Sequence, residues 1–413
     1  MRILIYAMGS AGDVHPFVGV GKALQARGHE VIVATSAFFE DVVRRAGLGF
    51  RAMGTVADFE RIQGNPHLWH PTKALPSIIK HAVNPSYEPI LEVARELVIP
   101  GETVILASSL AWAAMTVREL LEVPVASVHL APSLFVSTYR QPVMHGAPVP
   151  QDAPRFMKAI QWAIAEKVVD FHVLPELNRF RKRHGLSPAR GMIHGWHSPD
   201  RVIALFPEWY AAPQPDWPQH VIQTGFPLFD ESGQREVPRE LEDFLNDGDP
   251  PVVFTPGSAM DRGHEFFDEA VKALKLLGKR GILISRFSDT VPADLPDGVR
   301  HFSYVPFSQV LPRTAAMVFH GGIGTCAQTL RAGIPQLLMP MAHDQLDNLS
   351  RVHDLGTGDG LHPRQFKGKR IAATLDHLLQ DPAVKRKAAE LALRFDPPGW
   401  MARTCDLIEE MKA

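Results

Sequence analysis

The sequence predicts an α/β protein of two doubly wound, Rossmann-like domains, and three observations carry that prediction. Short, wholly apolar strands alternate with helical stretches in both halves of the chain, the pattern of parallel sheets covered on both faces. The 413 residues are too many for one hydrophobic core and suit two mid-sized ones. A stretch dense in proline separates the two alternations, as a connection between domains would.

The elements follow in order. RILIYAM (2–8) reads as a buried strand, GSAGDVHP (9–16) as a glycine-rich loop, and FVGVGKALQARG (17–28) as a helix with Pro16 at its first turn. EVIVATS (30–36), TVILASS (103–109), PVASVHL (124–130) and RVIALF (201–206) continue the strands. Residues 65–90 and 132–175 interrupt them with loops and the amphipathic stretch 155–171. From about 207 the pattern lapses into proline-rich chain. It resumes with PVVFTPGS (251–258), GILISRF (281–287), AMVFHGG (316–322) and QLLMPM (336–341). The expected organisation is a first domain over 1–212, a linker over 213–240 and a second domain over 241–395. A helix over 396–413 is expected to pack back on the first domain. Ligands of such folds sit outside the carboxyl ends of the strands, here in a cleft between facing domains.

Composition narrows the functions. A hydrophobic fraction of 45%, a charged fraction of 21% and a net charge of −2 give no sign of a nucleic-acid or anionic-membrane partner. Cys326 and Cys405 have no paired spacing, so they form no zinc site and no disulfide framework, which fits a reducing cytoplasm. The apolar run after Arg2 ends too soon for a signal peptide, and no stretch is long enough to span a membrane. A cytoplasmic protein is the expectation.

The chemistry concentrates in residues 316–348. A strand ends at His320, and Gly321, Gly322, Gly324 and Thr325 open a helix. Amides at a helix start bind anions, and glycine lets a phosphate approach the backbone. A plain strand–helix turn would use the same glycines. After the next strand come His343, Asp344, Gln345 and Asn348. Asp and Gln at a strand's carboxyl end are apt for holding several hydroxyls of a sugar, while Asp344 as a helix cap is the alternative.

HGGIGT followed by PMAHDQ and Asn348 resembles the signature of the UDP-glycosyltransferase family. It is closest in character to the branch of bacterial macrolide and glycopeptide glycosyltransferases and sterol glucosyltransferases. GSAGDVHP, TPGS (255–258) and YVPFSQVLPR (304–313) extend the resemblance, whereas residues 40–250 share the layout only. The implied fold is GT-B, two Rossmann-like domains facing each other across a cleft. The implied activity is inverting, metal-independent transfer of a hexose, glucose first, from a UDP- or dTDP-sugar to a hydroxyl of a hydrophobic small molecule. No cofactor is implied. Position by position, His320 and the backbone of Gly322, Gly324 and Thr325 would hold the diphosphate, with Ser258 opposite. Tyr304, Val305 and Phe307 would lie along the nucleobase, and Asp344 and Gln345 would bind the sugar.

The resemblance also directs attention to the first loop. Many members carry a histidine base where this chain has Asp13, and His15 stands where they have an asparagine. The glycopeptide and sterol branches show the same exchange, so Asp13 is the expected base and His15 the second choice. A helix-capping role is the alternative for Asp13. The partner aspartate of the histidine-based members is replaced by Ser108 or Ser109. On the acceptor side, Trp69, Ile78, Phe135, Met144, Phe156 and Ile160, with Trp162 and Phe171, favour a polyketide, sterol, carotenoid or phenolic. Core packing would use the same residues. A lipid acceptor would bring peripheral membrane contact.

Three other signals are weaker. Asp247-Gly248-Asp249 precedes a strand rather than following one, against a metal role. His67/His70 and His194/His197 lack partners at zinc spacing and read as loop and surface residues. Gly322-x-Gly324-x-x-Ala327 satisfies a dinucleotide fingerprint, which keeps an NAD-dependent oxidoreductase as the rival, alongside a sugar-nucleotide epimerase of the same fold.

Overall fold

A computed structural model of the chain describes residues 1–70, 72–232, 237–257 and 263–411. It divides into two compact units, 1–227 with 396–413, and 228–395. Each is a parallel sheet between helical layers.

The first sheet has seven strands: β1 (Arg2–Tyr6), β2 (Glu30–Thr35), β3 (Gly49–Ala52), β4 (Thr103–Ser108), β5 (Val125–His129), β6 (Arg201–Ala204) and β7 (Val221–Gln223). Their order is β3-β2-β1-β4-β5-β6-β7. The second has six: β8 (Val252–Thr255), β9 (Gly281–Ile284), β10 (Val299–Phe302), β11 (Ala316–Phe319), β12 (Gln336–Leu338) and β13 (Gly358–Gly360). Their order, β10-β9-β8-β11-β12-β13, repeats the pattern of the first. In each sheet the winding reverses between the first strand and its later neighbour, β1/β4 and β8/β11. Those are the switch points outside which ligands of doubly wound sheets bind.

Period-two alternation explains the double burial. Val252, Phe254, Leu283 and Val318 pack on one face of the second sheet, and Val253, Ile282, Met317 and Phe319 on the other. In the first sheet Leu4, Tyr6, Ile105 and Ala107 share a core with Ile90, Val117 and Phe180.

Three features differ from the sequence reading. Helix α1 (Ala11–Ala26) begins five residues ahead of Pro16, which lies inside it. Ser10 gives both its N–H (2.7 Å) and its hydroxyl (2.9 Å) to Asp13 Oδ2, fixing the earlier start. The stretch read as a linker holds β7, so the first unit runs to Pro227. The amphipathic stretch is part of a 29-residue helix, α2 (Arg155–Arg183).

The last helix, α3 (Pro397–Glu409), belongs to the first unit. Arg27 bridges Asp406 and Glu409 at 2.7 and 2.9 Å, and Thr404 donates to Thr224. Trp400 lies so close over Gly225 that a Cβ there would meet its ring at 2.0 Å. Among the described residues no helix is long and apolar enough to cross a membrane.

Candidate active site

At the second switch point the β11 strand hands over to a glycine-bounded histidine. A Cβ on Gly257, beyond β8, would meet His320 Cε1 at 2.8 Å, and one on Gly322 would meet Nε2 at 2.6 Å. Both glycines are therefore needed for the imidazole to lie where it does. Its Nδ1 is buried with no hydrogen-bond partner among the described residues. Burial, aided by nearby His343, pulls its pKa down to about 4. The ring is thus neutral at pH 7, with one N–H to give.

Gly322 caps the helix Ile323–Ala332. Gly324 is open: among the described residues nothing lies within 4 Å of a Cβ built there. Asp344, before the helix Gln345–Asp354, accepts from Asn348 Nδ2 at 2.7 Å and from the Ile323 amide. Burial lifts its carboxyl to about 6 against those bonds, with Asp347 adding to the lift. Asn348 also donates to the Gly321 carbonyl at 2.9 Å, tying the two helix starts together. His343 adopts a left-handed φ of 60°, strain of the sort that persists where surroundings enforce it. Gln345 is buried, and its side-chain carbonyl accepts from the Met341 and Ala342 amides. Only its amide nitrogen remains to reach a sugar. Thr325 is half-buried in the first turn, and Ser258 lies outside the described residues.

The segment after β10 is pinned by Asp230. Its backbone carbonyl accepts from the Tyr304 hydroxyl, and its carboxylate from the Ser308 amide at 2.6 Å. Val305 is buried in the sheet's core and Phe307 packs against it. The Val305 side chain is a core residue, which leaves its backbone as the part that could meet a base.

At the first switch point Met8 donates its amide to Ser108 Oγ at 3.1 Å, lacing the end of β1 to that of β4. Gly9 follows with φ 127°, and a Cβ there would meet Asp13 Oδ2 at 2.3 Å. Asp13 and His15 are both half-buried in the first turns of α1. Two helical residues that far apart point about 200° from each other, so they cannot serve the same side.

Known proteins place this architecture. Residues 3–137 match the glycosyltransferase family 28 N-terminal domain. Residues 282–396 match the erythromycin biosynthesis protein CIII-like C-terminal domain. The O-mycaminosyltylonolide 6-deoxyallosyltransferase of Streptomyces fradiae is 32% identical over 99% of this chain and 97% of its own. The chain belongs to the UDP-glycosyltransferase family. A sterol 3-beta-glucosyltransferase of Arabidopsis thaliana is 28% identical over 98% of this chain and 67% of its own. The glycosyltransferase of kitacinnamycin has the same fold, with a TM-score of 0.74, 22% identity and coverage of 100% and 99% of the two chains. The fold is GT-B.

In this glycosyltransferase the glycine loop follows the fourth strand of its domain, β11. A dinucleotide fingerprint would follow the first, so the oxidoreductase reading is not favoured. Asp247-Gly248-Asp249 forms the turn before β8, and Asp249 uses its carbonyl to accept from Arg280.

The residues expected on the acceptor side separate. Ile160 forms an open apolar stripe with Ala163, Ile164, Val168 and Phe171, beside Lys167, all on one face of α2. Phe156 is 65% exposed on the same helix. Trp69, Ile78 and Met144 are half-buried elsewhere in the unit. Phe135 is corrected: at 1% exposure it is enclosed by His129, His197, Phe206 and Trp217 and packs rather than lines. Trp162 is likewise buried. His197 is no surface residue either. It is hydrogen-bonded to His129 at 3.0 Å, whereas His194 is exposed. His129 was legible as a polar residue closing an apolar strand. Asp230 carried no signal, standing in proline-rich chain.

Proposed function

We propose that this glycosyltransferase moves a hexose with free hydroxyls, glucose first, from a UDP- or dTDP-sugar to a hydroxyl of a macrocyclic or polycyclic hydrophobic acceptor. It does so with inversion and without a metal. The observation that carries the reading is the second switch point: a neutral imidazole with an orphaned nitrogen, an open glycine at a helix start and a buried carboxylate, within one constellation. His320 and the helix amides would stabilise the departing diphosphate. Asp344 and the Gln345 amide would hold sugar hydroxyls. Asp13 would take the acceptor's proton as its oxygen forms the bond to the anomeric carbon and the bond to the diphosphate breaks. The relatives' macrolide and sterol acceptors agree with the apolar stripe on α2.

Thermal shift with UDP, dTDP and NADH tests the donor. Stabilisation by a pyrimidine diphosphate is expected, and stabilisation by NADH alone would overturn the reading. Transfer from radiolabelled UDP-glucose and dTDP-glucose to a macrolactone, a sterol and a phenol then tests the acceptor. Full activity in excess chelator is expected. Loss that Mg²⁺ or Mn²⁺ restores would refute metal independence.

A further inference from the structure

Behind the carboxyl edge of the first sheet, four side chains form one file. Trp196 Nε1 lies 3.0 Å from His197 Nε2, and His197 Nδ1 lies 3.0 Å from His129 Nε2. His129 Nδ1 lies 3.3 Å from Ser109 Oγ. An indole nitrogen only donates, so His197 Nε2 accepts. A neutral imidazole that accepts at Nε2 carries its proton on Nδ1. That proton faces His129 Nε2, which must accept in turn, and so His129 holds its own proton on Nδ1 and gives it to Ser109. The reverse tautomer of His129 would set two protons against each other. Both rings are held neutral: burial pulls His197 down to about 4 and His129 well below its ordinary value.

The file therefore runs one way. It excludes a serine nucleophile activated by histidine, because the nitrogen facing Ser109 already bears a proton and the far end is a donor that cannot take one. It fills a lone pair of Ser109 Oγ and leaves the hydroxyl proton to be given away. No acceptor for that proton is found among the described residues. Ser109 follows β4 directly, and β4 is laced to the end of β1 through the Met8–Ser108 bond. The uncommitted donor thus stands at the first switch point, where the chain turns toward Asp13.

We propose that Ser109 is an acceptor-positioning residue: its hydroxyl, oriented by Trp196, His197 and His129, donates a hydrogen bond to an oxygen of the molecule being glycosylated. This rests on the reading that the acceptor binds at the first switch point. The wiring is tested without any ligand by ¹⁵N-detected histidine tautomers in the full chain. His129 and His197 are both expected as Nδ1–H between pH 6 and 8, with Trp196→Phe releasing that preference. An Nε2–H tautomer of His129 in the wild type overturns the proposal. Kinetics with UDP-glucose and the macrolactone, sterol and phenol probes test the role. Ser109→Ala should raise acceptor KM about 5–10-fold, the worth of one neutral hydrogen bond, with the donor KM unchanged and Ser109→Thr restoring most of the loss. An unchanged acceptor KM, or a loss confined to kcat and melting temperature, overturns it. If no probe is glycosylated by the wild type, the acceptor class proposed above fails, and the tautomers alone decide the assignment of Ser109.

Discussion

At the scale of single residues, two jobs compete for Asp13. Its carboxylate oxygen holds Ser10 at the start of α1, and its proposed role is to take a proton. Asp13→Asn keeps an oxygen for the cap and loses the basicity. We expect kcat to fall by about 10²–10⁴ with UDP affinity and melting temperature nearly unchanged. Turnover close to wild type would leave Asp13 as a cap alone, and loss in His15→Ala instead would transfer the role. Gly324 offers the converse case. Nothing among the described residues needs a glycine there, so Gly324→Ala should stabilise its helix by about 0.4–1 kcal/mol while weakening nucleotide binding. A variant with undiminished UDP affinity in calorimetry would remove the diphosphate from this helix start. Asp344 adds a pH signature. A carboxyl raised in the folded state to about 6 favours folding when protonated, and that contribution is lost as pH rises through 6. Asp344→Asn, neutral throughout, should gain on the wild type by on the order of 2 kcal/mol between pH 4 and 7. A gain that does not grow with pH in urea titrations would show the carboxylate to be better compensated than its burial implies.

At the scale of elements, α2 turns part of its pattern inside out between Phe156 and Phe171, although Trp162 packs inward. Lys158 and Gln161 face inward, where they serve the carbonyl of Tyr139 and the amide of Val149. Ile160, Ile164 and Phe171 face outward at 56%, 61% and 75% exposure. A long apolar stripe turned to solvent marks a contact surface. Ile164→Glu should therefore raise the KM of a hydrophobic acceptor about tenfold or more, the loss of one buried aliphatic chain, without lowering stability. Equal KM for wild type and variant would detach the stripe from acceptor binding. This inversion was not legible in the sequence, because periodicity reports an apolar face without saying which way it looks. For the same reason Phe135 and Phe156 read alike, although one is enclosed and the other bare. The strands were legible since their apolar runs are short and bounded, and so was the cluster from His320 to Asn348, which follows two such strands. The start of α1 was missed because Pro16 suggested a first turn, while Ser10 and Asp13, at capping-box spacing, had already fixed an earlier one. β7 was missed because three residues among prolines carry no period.

At the scale of the whole molecule, the two units share one strand order and differ in the roles proposed for their switch points: a base and hydroxyl donors in the first, anion and sugar ligands in the second. Within the first unit, Gly225→Ala would drive a methyl into Trp400 and should cost about 1–3 kcal/mol. Saturating UDP should leave that loss in place if the nucleotide binds the other unit, as proposed. Full recovery on adding UDP would tell against that assignment. The return of α3 to the first unit has a further meaning during synthesis. The chain leaves that unit at Pro227 and comes back only at Asp396. At about 5–20 residues per second, a ribosome needs roughly 10–40 s to make residues 228–413. Through that interval the second unit can emerge and fold as one continuous piece, while the older unit waits with the seat for Trp400 at Gly225 open. The part of the molecule made first is the part finished last.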